Sequence, residues 1–221
     1  MIVAIDGPAA AGKGTLARAL ARRLGWSYLD TGAMYRAIAL AVLDRGIRPD
    51  DAVRAASVAR AVTIAIDGER VTLDGIDVSA RIRSPEVTRA VSMVAAHPEV
   101  RTILVGRQRA MIDREKDVVM EGRDIGTTVA PQAEVKVFLT ASLEERARRR
   151  AHQLGLDTED GTLAELAADL GRRDRADAAR SASPFRKAGG ALELDSTGRS
   201  VDELVDEVAG AVARARDAGD V

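Results

Sequence analysis

Ile2-Val3-Ala4-Ile5-Asp6-Gly7-Pro8-Ala9-Ala10-Ala11-Gly12-Lys13-Gly14-Thr15-Leu16 opens the chain and decides its architecture. Residues 2–5 are an apolar run of strand length, and beyond Thr15 the residues Leu16, Ala17, Leu20 and Leu24 recur on one helical face. Between strand and helix, glycines permit backbone geometries closed to other residues. Successive N–H groups can then turn inward around phosphate oxygens at a helix start, where backbone dipoles favour negative charge. Gly7, Pro8, Ala9, Ala10, Ala11, Gly12, Lys13, Gly14 and Thr15 form the candidate cradle, a P-loop, for a nucleoside triphosphate, with Lys13 bridging the outer phosphates. The common pattern puts Ser or Thr directly after the lysine. Here Gly14 intervenes, and Thr15 is the candidate magnesium ligand, directly or through water.

Working outward, Gly25 stops the helix, residues 26–29 suit a second strand, and Asp30 or Thr31 caps a helix to about residue 45. This alternation predicts an α/β fold with a parallel sheet and crossover helices. Residues 62–78 break the rhythm. Val62, Ile64 and Ile66 alternate, Asp67-Gly68 offers a type I′ turn, and Val71 and Leu73 alternate again, so a β-hairpin insertion is expected. Residues 85–96 and 98–113 read as helices opened by Pro85 and Pro98. Residues 118–120 form a buried strand running into Glu121-Gly122-Arg123-Asp124, and 135–139 form another. Ser142 to Glu145 resembles a capping box for an arginine-rich helix to about 154. A polar stretch around 155–162 suits a short lid. Residues 163–180 read as a helix, 191–194 as the last strand and 201–216 as an amphipathic closing helix.

The 221 residues fit one domain, with 46% hydrophobic and only 2% aromatic content, so the core rests on Ala, Val, Leu and Ile and base stacking on aromatic platforms is not expected. A net charge of -1 gives no global reason to expect nucleic acid or an anionic membrane as partner. The chain has no cysteine, its longest apolar run, 37–43, is far below the roughly 20 residues of a membrane span, and a cytoplasmic protein is expected. Of 33 basic residues only four are lysines, one of them Lys13.

A P-loop alone serves GTPases, motors, transporters and kinases, so the second substrate must be read elsewhere. Arg36, Arg101, Arg123, Arg173 and Arg180 sit beside turns, glycines or polar clusters, and guanidinium groups from several segments suit an acceptor that is itself a phosphate. Arg173 and Arg180, seven apart, are expected on one helical face; an exposed face salt-bridged through Asp177 is the alternative. For Arg146, Arg149 and Arg150, an ordinary ion-paired face with Glu144 and Glu145 is the alternative to phosphate binding.

Asp30-Thr-Gly-Ala-Met-Tyr-Arg36, Glu121-Gly-Arg-Asp-Ile-Gly-Thr127 and Arg173-Asp-x-x-Asp177-x-x-Arg180, following the GKGT loop, resemble the bacterial cytidylate kinases over nearly the whole chain. That resemblance implies a P-loop NTPase-like core (1–58 and 114–221), a hairpin-containing monophosphate-binding insertion (59–113) and a lid (155–162) within one kinase domain. It places acceptor-phosphate contacts at Thr31, Arg36, Arg123, Arg173 and Arg180, cytosine contacts at Ser92, Arg101 and Asp124, and a sugar contact at Asp177. Arg146, Arg149 and Arg150 would reach the donor phosphates, and Lys13, Arg123, Arg173 and Arg180 would carry the catalysis. It further implies ATP as donor, Mg2+ as cofactor, and CMP and dCMP as acceptors; a monomer with no obligate protein partner is expected. Another P-loop small-molecule kinase with a different acceptor, or a nucleotide-gated binding module, are the alternatives.

Overall fold

The computed structural model describes residues 1–156, 160–180 and 182–219. In chain order the elements are β1 (Ile2–Asp6), α1 (Lys13–Leu24), β2 (Ser27–Asp30), α2 (Thr31–Asp44), α3 (Ala52–Ala61), β3 (Ile64–Asp67), β4 (Arg70–Leu73), β5 (Ile76–Asp77), α4 (Pro85–Val94) and α5 (Pro98–Ile112). There follow β6 (Val118–Gly122), β7 (Val135–Thr140), α6 (Leu143–Leu154), α7 (Asp160–Ala178), β8 (Leu192–Asp195) and α8 (Val201–Gly219). They divide into two compact units: Met1–Tyr28, Asp117–Ala179 and Ser183–Val221 in the first, Leu29–Lys116 and Arg180–Ala182 in the second. The expected insertion, 59–113, lies inside the second.

The main sheet has the order β2-β6-β1-β7-β8, with parallel pairing of β1 to β6, β1 to β7 and β7 to β8. Asp6 stands opposite Gly122 and Phe138, which brings the carboxyl ends of β1 and β6 level while β7 runs two residues further to Thr140. Val3, Ala4 and Ile5 are fully buried, as a central strand covered on both faces requires. Leu16 and Leu20 of α1 and Val205, Val208 and Val212 of α8 join Val119, Val137 and Leu139 in the same core. α1 starts at Lys13, three residues before its apolar periodicity begins at Leu16, because Gly12 at φ 94° supplies the left-handed turn into it. A smaller cluster seats Ala9 of the P-loop against Ala147 and Leu170, with Ala10, Leu163 and Leu166 around it.

In the second unit α2 is apolar almost all round, and Ile38, Leu40 and Val42 pack with Val58, Val91 and Leu104. The sequence reading contained no helix at α3; there Asp51 accepts from the Arg54 N–H at 3.0 Å and caps an alanine-rich face, Ala55, Ala56 and Ala59, too small to stand out as a hydrophobic stripe. The expected hairpin is present as β3-β4, and β5 adds a third antiparallel strand to it. Its first turn differs from expectation. Asp67 pairs with Arg70, so the loop is Gly68-Glu69, and only Gly68 has positive φ. A type I′ turn needs positive φ at both central residues. That condition is met one turn later, at Asp74 (51°) and Gly75 (82°) between Leu73 and Ile76.

Two further expectations change. Of the expected lid, residues 157–159 lie outside the described residues, and 160–162 belong to α7. α7 ends at Ala178, so Arg180 is not on the helical face of Arg173. The carbonyl of Asp177 accepts from the Phe185 N–H at 3.1 Å, and Pro184 cannot continue a helix, so the chain leaves it.

Candidate active site

The P-loop is held by its neighbours before any ligand is considered. A Cβ on Gly7 would fall 2.1 Å from the Leu139 carbonyl oxygen, so only glycine fits where the loop leaves β1. Lys13 is buried, and its Nζ donates to the Pro8 carbonyl at 2.9 Å across the loop. Ser196, buried just beyond β8, has its hydroxyl 2.9 Å from the carbonyls of both Ala11 and Thr140 and accepts from Arg149 at 2.8 Å. Arg149 donates also to Ala11 at 3.1 Å and to Glu145 at 2.9 Å. Arg146 is buried; one terminal nitrogen donates to Ala9 at 3.2 Å and to Asp174 of α7 at 2.6 Å. Thus Arg146 and Arg149, expected to reach donor phosphates, grip the loop's own carbonyls. Arg148, by contrast, pairs with Glu144 and Glu145 as on an ordinary helix face. Ser142 caps α6 through the Glu145 N–H at 3.2 Å, but the reciprocal bond is absent because the Ser142 N–H goes to Thr197 at 2.8 Å.

Beyond β6 a second group gathers in the same unit. Arg123 Nε pairs with Asp177 at 3.1 Å. Arg173 lies within electrostatic reach of Arg123, Arg150, Asp177 and Asp169. Burial pushes the Arg173 guanidinium below its ordinary value, and the like charge of Arg123 pushes it the same way. Arg150 is likewise lowered by burial. Desolvated cations held this close favour an anion. Asp124 is buried beside Asp6, whose carboxylate accepts from the Ile125 and Gly126 N–H groups, each at 2.8 Å.

The second unit holds Thr31, Arg36, Ser92, Arg101 and Arg180. Asp30 caps α2 through the Ala33 N–H at 2.9 Å, which places the buried Thr31 in the first turn. Arg36 donates to Thr88 Oγ1 at 3.0 Å. Arg101 is buried, donates to the Ala95 carbonyl at 3.1 Å and lies over the Tyr35 ring, 5.2 Å from its centroid. Ser92 is half-buried on α4. Thr15 is exposed. The sequence motifs assign no role to Asp6, Glu121, Asp174 or Ser196, whose side chains meet the turn after Asp124, Gly14, Arg146 and the Ala11 carbonyl respectively. An acid at the end of an apolar strand was the available signal for the first two; nothing local marked Asp174 or Ser196, which act by contacts far along the chain.

A strand, a glycine-rich loop with a buried lysine, and a guanidinium cluster at the level ends of parallel strands define a P-loop phosphotransferase of the kinase class. Among solved structures the fold resembles a shikimate kinase from Bacteroides thetaiotaomicron, with 14% identity, TM-score 0.50, and 96% of this chain and 98% of that chain covered. It also resembles an uncharacterized protein from Eubacterium ventriosum, at 11% identity, TM-score 0.53, and 95% and 96% coverage. The family description "Cytidylate kinase" matches residues 3–214. The cytidylate kinase of Caldanaerobacter subterraneus subsp. tengcongensis is 50% identical over 206 residues, 93% of this chain and 92% of that protein. That of Desulfitobacterium hafniense is 49% identical, over 93% and 90%. The chain belongs to the cytidylate kinase family.

Proposed function

We propose that this enzyme transfers the γ-phosphoryl group of ATP to CMP, and to dCMP as a second acceptor, giving ADP and the diphosphate. The observation that carries this reading is the family match over residues 3–214. The P-loop, gripped at Ala9 and Ala11 by Arg146 and Arg149, would cradle the donor phosphates. Lys13 would exchange the Pro8 carbonyl for phosphate oxygens. The acceptor phosphate would draw on Arg123, Arg173 and Arg180 together with Arg36 and Thr31. Cytosine would be read by Ser92, Arg101 and Asp124, because hydroxyl and carboxylate oxygens accept the exocyclic amino hydrogens that uracil lacks. Asp177 would hold the sugar, with Arg123 paired to it.

The attacking oxygen belongs to an already ionised phosphate, so no general base is required. Alignment and charge neutralisation do the chemistry. A magnesium ion would be held sparsely, by Thr15, exposed at the start of α1, directly or through water; no group of three His, Cys, Asp or Glu side chains able to hold a metal occurs among the described residues. Magnesium commonly keeps several waters and leans on substrate phosphates. When bound it would supply positive charge against that developing on those phosphates. We place the second unit in monophosphate binding and propose a cytoplasmic monomer. No helix among the described residues is long and apolar enough to cross a membrane.

A coupled assay of ADP formation across a panel of nucleoside monophosphates tests the assignment. CMP is expected to be the best acceptor, with Lys13→Ala and Arg123→Ala each losing about 100-fold or more in kcat. Faster turnover of UMP or AMP would overturn it.

A further inference from the structure

Asp6 ends β1 one residue before the P-loop and is almost wholly buried. Its two carboxylate oxygens accept one backbone N–H each, Oδ1 from Ile125 and Oδ2 from Gly126, both at 2.8 Å. These residues open the wide turn at Ile125–Val129 that directly follows Arg123 and Asp124, in which the Asp124 carbonyl accepts from both Thr128 (2.8 Å) and Val129 (3.2 Å). The turn is also packed from another side: a Cβ on Gly126 would stand 3.2 Å from the Ala188 Cβ. β1 is already hydrogen-bonded to a strand on each side, so the strand needs no carboxylate for its own pairing. Burial of that carboxylate is costly and raises its pKa to about 6, against the pull of the two N–H groups. The charged groups facing it are Lys13 and Asp124.

We propose that Asp6 is a positioning residue for the acceptor site: by gripping the amides of Ile125 and Gly126 it fixes Arg123 and Asp124 relative to the strand that carries the P-loop. This rests on the reading of Arg123 and Asp124 as acceptor contacts. The ionised form matches two N–H donors. The protonated form carries a hydrogen on one oxygen, opposed to an N–H, and weakens the grip.

The test compares the full-length wild type with Asp6→Asn, whose amide can accept only one of the two N–H groups. At saturating ATP, kcat/KM for CMP is expected to fall about 10- to 100-fold, the range for losing a hydrogen bond to a charged group, with the KM for ATP changed far less. The acid-side fall of kcat/KM in the wild type should lose the component due to Asp6 in the variant; ionisation of the CMP phosphate is common to both. Arg123→Ala runs in parallel. If Arg123→Ala leaves CMP kinetics intact, the acceptor-site reading fails. If Arg123→Ala is impaired while Asp6→Asn matches wild type in CMP kinetics and pH profile, the positioning role fails. Should Asp6→Asn not fold, amide exchange in the wild type decides: protection at Ile125 and Gly126, corrected for intrinsic rates and taken relative to the amides of β1 so that the global change of stability with pH cancels, is expected to rise from pH 5 to 7, and a relative protection independent of pH overturns the proposal.

Discussion

The carboxylate of Glu121 occupies the space beside Gly14: its Oε1 lies 2.7 Å from the point a Cβ on residue 14 would take. The same oxygen accepts from the Tyr28 hydroxyl at 2.8 Å, and Arg18, whose guanidinium carbon is 5.9 Å from the Tyr28 ring centroid, stands beside it. The glycine after Lys13, a departure from the common P-loop pattern, thus has a steric cause on a strand more than a hundred residues away. Gly14→Ala must push Glu121 off Tyr28, at a cost of about 1 kcal/mol, the lower range for overpacking. Glu121→Ala in the Gly14→Ala background should recover part of that loss. Urea denaturation of the two single variants and the double variant measures the coupling, and strict additivity would contradict the contact.

Arg146 and Asp174 pair with their side chains 9% and 21% exposed, and Arg146 also holds the Ala9 carbonyl. Asp174→Ala leaves a buried guanidinium uncompensated and should destabilise by about 3–5 kcal/mol. Arg146→Met with Asp174→Leu removes both charges and should cost clearly less. Chemical denaturation ranks the two, and a double variant less stable than Asp174→Ala would refute the argument.

Asp6 has its pKa raised to about 6 from 3.8, chiefly by burial. Between those values the folded chain holds a proton that the unfolded chain has released. This residue's contribution to stability is therefore present in full below pH 4 and is lost as pH rises through 6. Relative to Asp6→Asn, the wild type should weaken by on the order of 3 kcal/mol from pH 4 to pH 7. Unfolding curves of both proteins across that range give the difference, and a relative gain by the wild type would be the wrong sign.

Two glycines should respond oppositely to alanine. Gly75 has φ 82° in the Asp74-Gly75 turn, and Gly75→Ala should cost about 1 kcal/mol or more. Gly106 is exposed within α5, and a Cβ there meets nothing within 4 Å, so Gly106→Ala should gain about 0.5–1 kcal/mol. Thermal melts of each variant read the sign directly.

Arg48 and Asp50 form an ion pair with side chains 83% and 55% exposed. Solvent screens it, and Asp50→Ala should leave the melting temperature and CMP turnover indistinguishable from wild type. A shift of several degrees in the melting temperature would show a role that geometry does not supply.

What the sequence determined by itself was local. The apolar run into Gly7, the periodicity through Leu24 and the proline-opened helices fixed the order of strands and helices except α3 and β5, because each is set by near-neighbour backbone and burial preferences. It also marked the phosphate loop and the arginine motifs. What only the tertiary structure decided depends on residues far apart in sequence. It fixed which strand borders which and ended α7 before Arg180 through the Asp177 to Phe185 bond. It turned Arg146 and Arg149 onto the loop's own carbonyls. It brought the Glu121 carboxylate beside position 14, where glycine leaves it room, and set Asp6 on the amides that follow Arg123 and Asp124. The contacts of Glu121, Asp6, Arg146 and Arg149 span about 107 to 138 residues, and packing geometry at such separation leaves no periodic or spacing signal in the chain.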